Sequence, residues 1–248
     1  MAALLLLAQP ALAENRPLTL AVANSTCQLM GQITQRFSVQ YGTPVRTICK
    51  SSGRLAKGLM GGAIRADYYL SANKRWMDKV ILGGLVASEQ VSTPWGNRLV
   101  IAAPSSSPLQ LSSLEELAED AVSKILIGDP STAPFGRYAK QALRKNDLWQ
   151  RVRPKISTRK HITLLADHLA AAGAGSVGIL FATNITQAHT VLLQIPEKNH
   201  RKVRYYGAPL KQSTLPALAT QFSAYLQQEE IKLLAQQAGF QNITAKAP

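Results

Sequence analysis

Between residues 18 and 82 the apolar positions switch between two spacings. Leu18-Thr-Leu-Ala-Val22 is a short, almost continuous apolar run, as a strand buried on both faces requires. Leu29, Ile33 and Phe37 then recur every four residues across 28–41, which predicts a helix with one buried face, and Gly42 ends it. The two patterns repeat as a strand at 45–49, a helix at 55–60, a strand at 68–70 and a helix at 74–82 closed by Gly83-Gly84. Strands alternating with helices predict a parallel sheet covered on both faces.

Residues 91–103, with Pro94-Trp95-Gly96 inside, break the alternation and read as a segment crossing into a second unit. There the strand-helix rhythm resumes at 125–127, 137–145, 162–171 and 177–181. Strands at 191–195 and 203–206 and helices at 215–226 and 231–238 follow. The expected fold is α/β with two lobes, each a mainly parallel sheet flanked by helices. Lobe 1 comprises 14–93 plus 196–248 and lobe 2 comprises 94–195.

Ahead of this pattern, residues 1–13 form an apolar stretch ending in Ala11-Leu-Ala13 before Glu14, the signature of an export signal peptide. The run is shorter than the roughly 20 residues needed to span a bilayer. The mature protein is therefore expected in the periplasm, exported and soluble, where Cys27 and Cys49 can oxidise.

Charge narrows the partners. Lys and Arg number 28 against 14 acidic residues, a formal charge of +14 that attracts anions. The basic residues are scattered apart from short runs at 151–155, 159–161 and 200–204, and no nucleic-acid-binding motif accompanies them, so no nucleic-acid partner is expected. His161, His168, His189 and His200 lack metal-ligand spacing, and no nucleophile elbow, phosphate loop or dinucleotide fingerprint occurs. No catalytic residue and no cofactor are expected.

Small polar residues at strand ends remain, where open α/β sheets hold ligands. Asn24-Ser25-Thr26 and Ser51-Ser52-Gly53 each join a strand to a helix. Hydroxyls and free N–H groups at a helix start suit an anion, although the same serines would serve equally as caps. Gly128-Asp-Pro130 with Pro134-Phe-Gly136, and Arg159-Lys-His161 before Ile162, supply two more such turns. Two turns per lobe would face one another across a cleft.

Four runs carry a family resemblance: Ser51-Ser-Gly-Arg-Leu-Ala-Lys57, Arg65-Ala-Asp-Tyr-Tyr-Leu-Ser-Ala-Asn-Lys-Arg-Trp-Met-Asp78, Gly96-Asn-Arg-Leu-Val-Ile-Ala-Ala-Pro104 and Ile127-Gly-Asp-Pro-Ser-Thr-Ala-Pro-Phe-Gly-Arg-Tyr-Ala-Lys140. Over nearly all the mature chain the sequence resembles the periplasmic molybdate-binding proteins of ABC transporters. The resemblance implies the class II periplasmic-binding-protein fold, in which two lobes joined by two crossing strands close on a tetrahedral oxyanion such as molybdate or tungstate. It implies delivery to an ABC permease by a monomeric binding protein, and no enzymatic activity. By position, Ser25 and Ser52 would offer hydroxyls, and Phe135 and Ile162 backbone N–H groups; Ser25, Ser52 and Ile162 are metal contacts only in the sense that they touch molybdate.

Two departures leave the anion open. Phe181 stands where the family has a tyrosine whose hydroxyl reaches the oxyanion, and Arg159-Lys160-His161 replaces acidic residues before Ile162. Sulfate, phosphate or a small carboxylate are alternatives, as is a sensor or adhesin without a transport role. If Ser25 and Ser52 converge on one ligand, Cys27 and Cys49 beside them come close as well. A disulfide is then expected, with two buried thiols as the alternative.

Overall fold

The computed structural model describes residues 16–243, so the expected export segment at 1–13 lies outside the described residues. β1 (Leu18–Ala23) is buried throughout and runs through a short 3-10 turn into α1 (Cys27–Tyr41), which packs Leu29, Met30, Ile33 and Phe37 inward. β2 (Val45–Lys50), α2 (Ser52–Met60), β3 (Tyr68–Ser71) and α3 (Lys74–Leu82) complete the first alternation. After β4 (Gly96–Asn97) and β5 (Leu99–Pro104) come β6 (Lys124–Gly128), α4 (Pro134–Lys145), α5 (Trp149–Val152) and β7 (Ile156–Arg159). The chain continues through α6 (Ile162–Ala170), β8 (Ser176–Phe181), β9 (His189–Gln194), β10 (Val203–Arg204), β11 (Tyr206–Pro209), α7 (Pro216–Tyr225) and α8 (Glu229–Gln237).

These strands form two main sheets. The first has the order β11-β3-β1-β2, with β1 parallel to both neighbours and β11 antiparallel at the edge. The second has the order β7-β6-β8-β5-β9. There β6 runs parallel to β7 and β8, but β5 is antiparallel to β8 and β9, so this sheet is half antiparallel rather than mainly parallel. The reason is that β5 enters it directly from the crossing segment, without a crossover helix to reverse its direction.

Between the sheets, β4 and β10 pair antiparallel as a two-stranded ribbon. The strand expected at 203–206 is therefore two strands broken at Tyr205, whose N–H donates to the carbonyl of Trp95 at 3.0 Å. β7 has no counterpart in the sequence reading because Ile156-Ser-Thr-Arg159 carries only one apolar residue; its pairing with β6, Ile125 opposite Ile156, defines it. One large core joins residues from both sheets, including Trp95, Phe181 and Tyr205, and a smaller one under α2 and α3 contains Leu55, Tyr69 and Trp76. Among the described residues no helix is long and apolar enough to cross a membrane.

Candidate functional site

Ser25, Ser52, Phe135, Ile162 and Phe181 line one small cavity between the two sheets, with about 10 Å³ open to the centre of a water-sized sphere. They reach it from the ends of β1, β2, β6, β7 and β8, where α1, α2, α4 and α6 begin. First-turn N–H groups have no partner within their helix, so Phe135 at the second position of α4 and Ile162 at the first of α6 bring free donors and the positive ends of helix dipoles.

The glycines of the 127–140 run explain how α4 reaches the cavity. A Cβ on Gly136 would lie 2.0 Å from the carbonyl oxygen of Gly128, so only glycine lets the first turn of α4 press against the end of β6. Asp129 does not join the cavity lining. Its carboxylate accepts from the Ser131 N–H and hydroxyl at 2.8 and 2.7 Å and from the Thr132 hydroxyl at 2.8 Å. Burial pushes this carboxyl up, but those hydrogen bonds and the charge of Arg54 outweigh it and hold Asp129 below the usual carboxylate range.

Neither predicted serine hydroxyl caps a helix. Ser52 Oγ accepts from the N–H of Ala72 at 3.0 Å, which ties the start of α2 to the end of β3 and leaves its own proton free to donate. Ser25 Oγ lies 2.9 Å from the hydroxyl of Tyr205. Tyr205 accepts from Asn97 Nδ2 at 3.1 Å, and that amide also donates to Thr183 Oγ1 at 2.8 Å. An amide nitrogen can only donate, so the assignment that uses every proton runs from Asn97 to Tyr205 to Ser25, and the Ser25 proton then faces the cavity. Burial, partly offset by the bonds to Ser25 and Asn97, raises the Tyr205 phenol far above its ordinary range and keeps it a neutral donor.

Ser51 is a polar residue that the sequence did not single out. It is the N-cap of α2, yet its hydroxyl makes no capping bond and is buried without a partner at the cavity. Tyr205 was also missed, because nothing local marks a tyrosine between two short strands. The Ser-Ser pair was a usable signal for Ser51; that neither hydroxyl caps the helix was not legible from it.

Phe181 is 1% exposed, its ring packed against those of Phe135 and Tyr138 at 6.2 Å and Tyr205 at 6.4 Å. Of the basic triplet, only His161 reaches the cavity. Arg159 turns to His168, Ser157 and the Thr158 carbonyl, and Lys160 is exposed. Asn24 Nδ2 lies 2.6 Å from His161 Nδ1, so the ring accepts there and is neutral with its proton on Nε2. Burial and the charges of Arg54, Lys50 and Lys160 hold its pKa below the usual histidine value.

The Asn24–His161 bond crosses the cleft, as do the bonds from Gly53 N–H to the Thr132 carbonyl at 3.2 Å and from the Tyr138 hydroxyl to the Ala72 carbonyl at 3.3 Å. A Cβ on Gly53 would stand 2.7 Å from both the Thr132 oxygen and the Trp76 ring, so a larger residue would hold the cleft apart. Cys27 and Cys49 form a disulfide, with Cα atoms 6.2 Å apart, joining the start of α1 to the end of β2 beneath the serine turns. Among the described residues no three His, Cys, Asp or Glu side chains cluster as a metal site.

The chain is similar in sequence and in fold to known proteins. The molybdate-binding protein ModA of Escherichia coli is 29% identical over 202 residues, 79% of this chain and 77% of that one. The periplasmic molybdate-binding protein of Azotobacter vinelandii superposes with a TM-score of 0.81 at 19% identity, over 92% of this chain and 100% of that one. The sulfate-binding protein SubI of Mycobacterium tuberculosis gives the same TM-score at 15% identity, over 92% and 87% of the two chains. Residues 18–241, which hold both sheets and every cavity residue named above, match the bacterial extracellular solute-binding proteins, and the chain belongs to that family.

Proposed function

We propose that the cavity holds a fully ionised tetrahedral oxyanion, molybdate or tungstate, and that the protein carries it through the periplasm, as a monomer, to an ABC permease. The family is one of solute-binding proteins, and this chain is not an enzyme. The observation that supports the anion most is the donor set. Four helix starts and the hydroxyls of Ser25, Ser51 and Ser52 meet at a cavity whose lining includes no carboxylate. A protonated anion such as hydrogen phosphate needs an acceptor for its proton, and the nearby carboxylate of Asp129 is occupied within its own turn. A dianion with no proton to give fits donors alone. The name of the Escherichia coli relative agrees with this choice. The two sheets with their helices would act as lobes hinged at the β4–β10 ribbon.

Thermal unfolding with molybdate, tungstate, sulfate, phosphate and small carboxylates tests the reading, followed by calorimetric titration of the best ligand. A ligand bound only by the folded state stabilises by about 4 kcal/mol at a thousandfold excess over Kd, so molybdate or tungstate is expected to raise the melting temperature most. A shift with phosphate or a carboxylate alone would mean that the ligand has been exchanged, a reading that Phe181 and His161 at the cavity favour. No shift with any anion would leave the sensor or adhesin.

A further inference from the structure

We propose that a second anion site lies outside the cleft, in a groove lined by Lys74 and Arg75 of α3, Arg137 of α4, and Arg201, Lys202 and Arg204 at the connector entering and forming β10, and that it takes a small polyanion of linked phosphate groups. The groove shares no lining residue with the cleft cavity. The Tyr138–Ala72 hydrogen bond stands between them.

The charges in this groove are not balanced from within. Lys74 is paired with Asp78 at 2.6 Å, whereas Arg75, Arg137, Arg201, Lys202 and Arg204 make no ion pair among the described residues. Arg137 carries the clearest mark of a missing partner. Its Nη2 donates to the carbonyls of Pro130 at 3.2 Å and Ser131 at 3.4 Å, which holds the half-buried guanidinium in place, while its Nε is shielded from solvent and has no hydrogen-bond partner. A shielded donor on a charged group is costly to leave unmade. Burial and the charge of Arg75 push the Arg137 pKa down, as expected of cations crowded without a counterion. Arg75 is itself positioned, its guanidinium 5.8 Å from the centre of the Trp76 ring.

Four of the six side chains are arginines, whose planar fork matches phosphate oxygens two at a time. Five cations without an ion pair, from three segments, exceed what one dianion can neutralise. Linked phosphates supply both the charge and the length to touch α3, α4 and the connector together.

Titration of the whole protein with inorganic tripolyphosphate, by calorimetry at low and at physiological salt, tests this. One site that weakens as salt is added is expected. The Ser25→Ala/Ser52→Ala variant should bind tripolyphosphate as the wild type does, so the outcome does not depend on the cleft reading. Arg201→Gln/Lys202→Gln, two exposed positions, should weaken binding about tenfold, whereas Arg36→Gln/Lys57→Gln, equally exposed but elsewhere, should not. Arg137→Gln should weaken it further if the variant melts as the wild type does, and citrate should bind less well than tripolyphosphate. No binding by the wild type at low salt would overturn the proposal, as would loss of binding in the serine variant. Equal weakening by the two glutamine pairs would show only diffuse attraction to a protein of charge +14 and would overturn it too.

Discussion

Removing the hydroxyl of Tyr205 should weaken anion binding although Tyr205 lines no part of the cleft cavity. Tyr205→Phe deletes the bond to Ser25 Oγ at 2.9 Å and the bond from Asn97 at 3.1 Å, while Asn97 keeps Thr183 at 2.8 Å. One buried and one partly buried hydrogen bond are worth about 1–3 kcal/mol of stability together, a loss the fold should survive. For binding, Ser25 loses the partner that fixes its rotation. Refixing one of three staggered positions costs RT ln 3, about 0.6 kcal/mol, and the lost polarisation along the chain adds a few tenths, so affinity should fall about fivefold. Ser25→Ala removes the hydrogen bond to the charged ligand itself, about 1.5–3 kcal/mol, or roughly ten- to a hundredfold. In the Ser25→Ala background Tyr205 has nothing to orient, so the double variant should bind like Ser25→Ala alone. Calorimetric titration of the four proteins with molybdate, each checked by its melting curve, measures the coupling. Wild-type affinity in Tyr205→Phe, or full additivity in the double variant, would refute the relay.

Phe181→Tyr places a hydroxyl in a ring position that is 1% exposed beside Phe135; if that hydroxyl reaches the anion, molybdate should bind about tenfold tighter in the same titration. Because His161 titrates below its usual value in the folded protein, the unfolded chain binds more protons there below about pH 6.5, and stability should fall as pH drops through that range. His161→Gln should flatten this decline in urea melts recorded from pH 7.5 downward. A bound dianion favours the charged imidazole, so affinity should rise towards pH 6 in the wild type and not in His161→Gln. The Cys27–Cys49 bond closes a loop of sequence separation 22, worth about 3 kcal/mol, so Cys27→Ser/Cys49→Ser should lower the denaturation midpoint, and an unchanged midpoint would contradict the structure.

Two strand-helix alternations and the serine and glycine turns were readable from the chain itself, because apolar spacing is dictated by the pitch of a helix and the pleat of a strand. The 127–140 run also carried its meaning locally: Gly128 and Gly136 have to be glycine for a strand end and a helix start to touch. Other features depend on residues far apart in sequence. β7 exists because β6 pairs with it, and the second sheet is half antiparallel because of the way β5 enters. The orientation of the Ser25 hydroxyl is set by Tyr205, 180 residues away, and by Asn97 behind it. Of Arg159, Lys160 and His161, the sequence showed three adjacent basic residues, and packing turned one away, exposed one and brought the third to Asn24 as a neutral ring. Local sequence specifies which donors a turn can offer, whereas the direction of a hydroxyl or an imidazole depends on its hydrogen-bond partner, and that partner arrives only when the chain closes on itself.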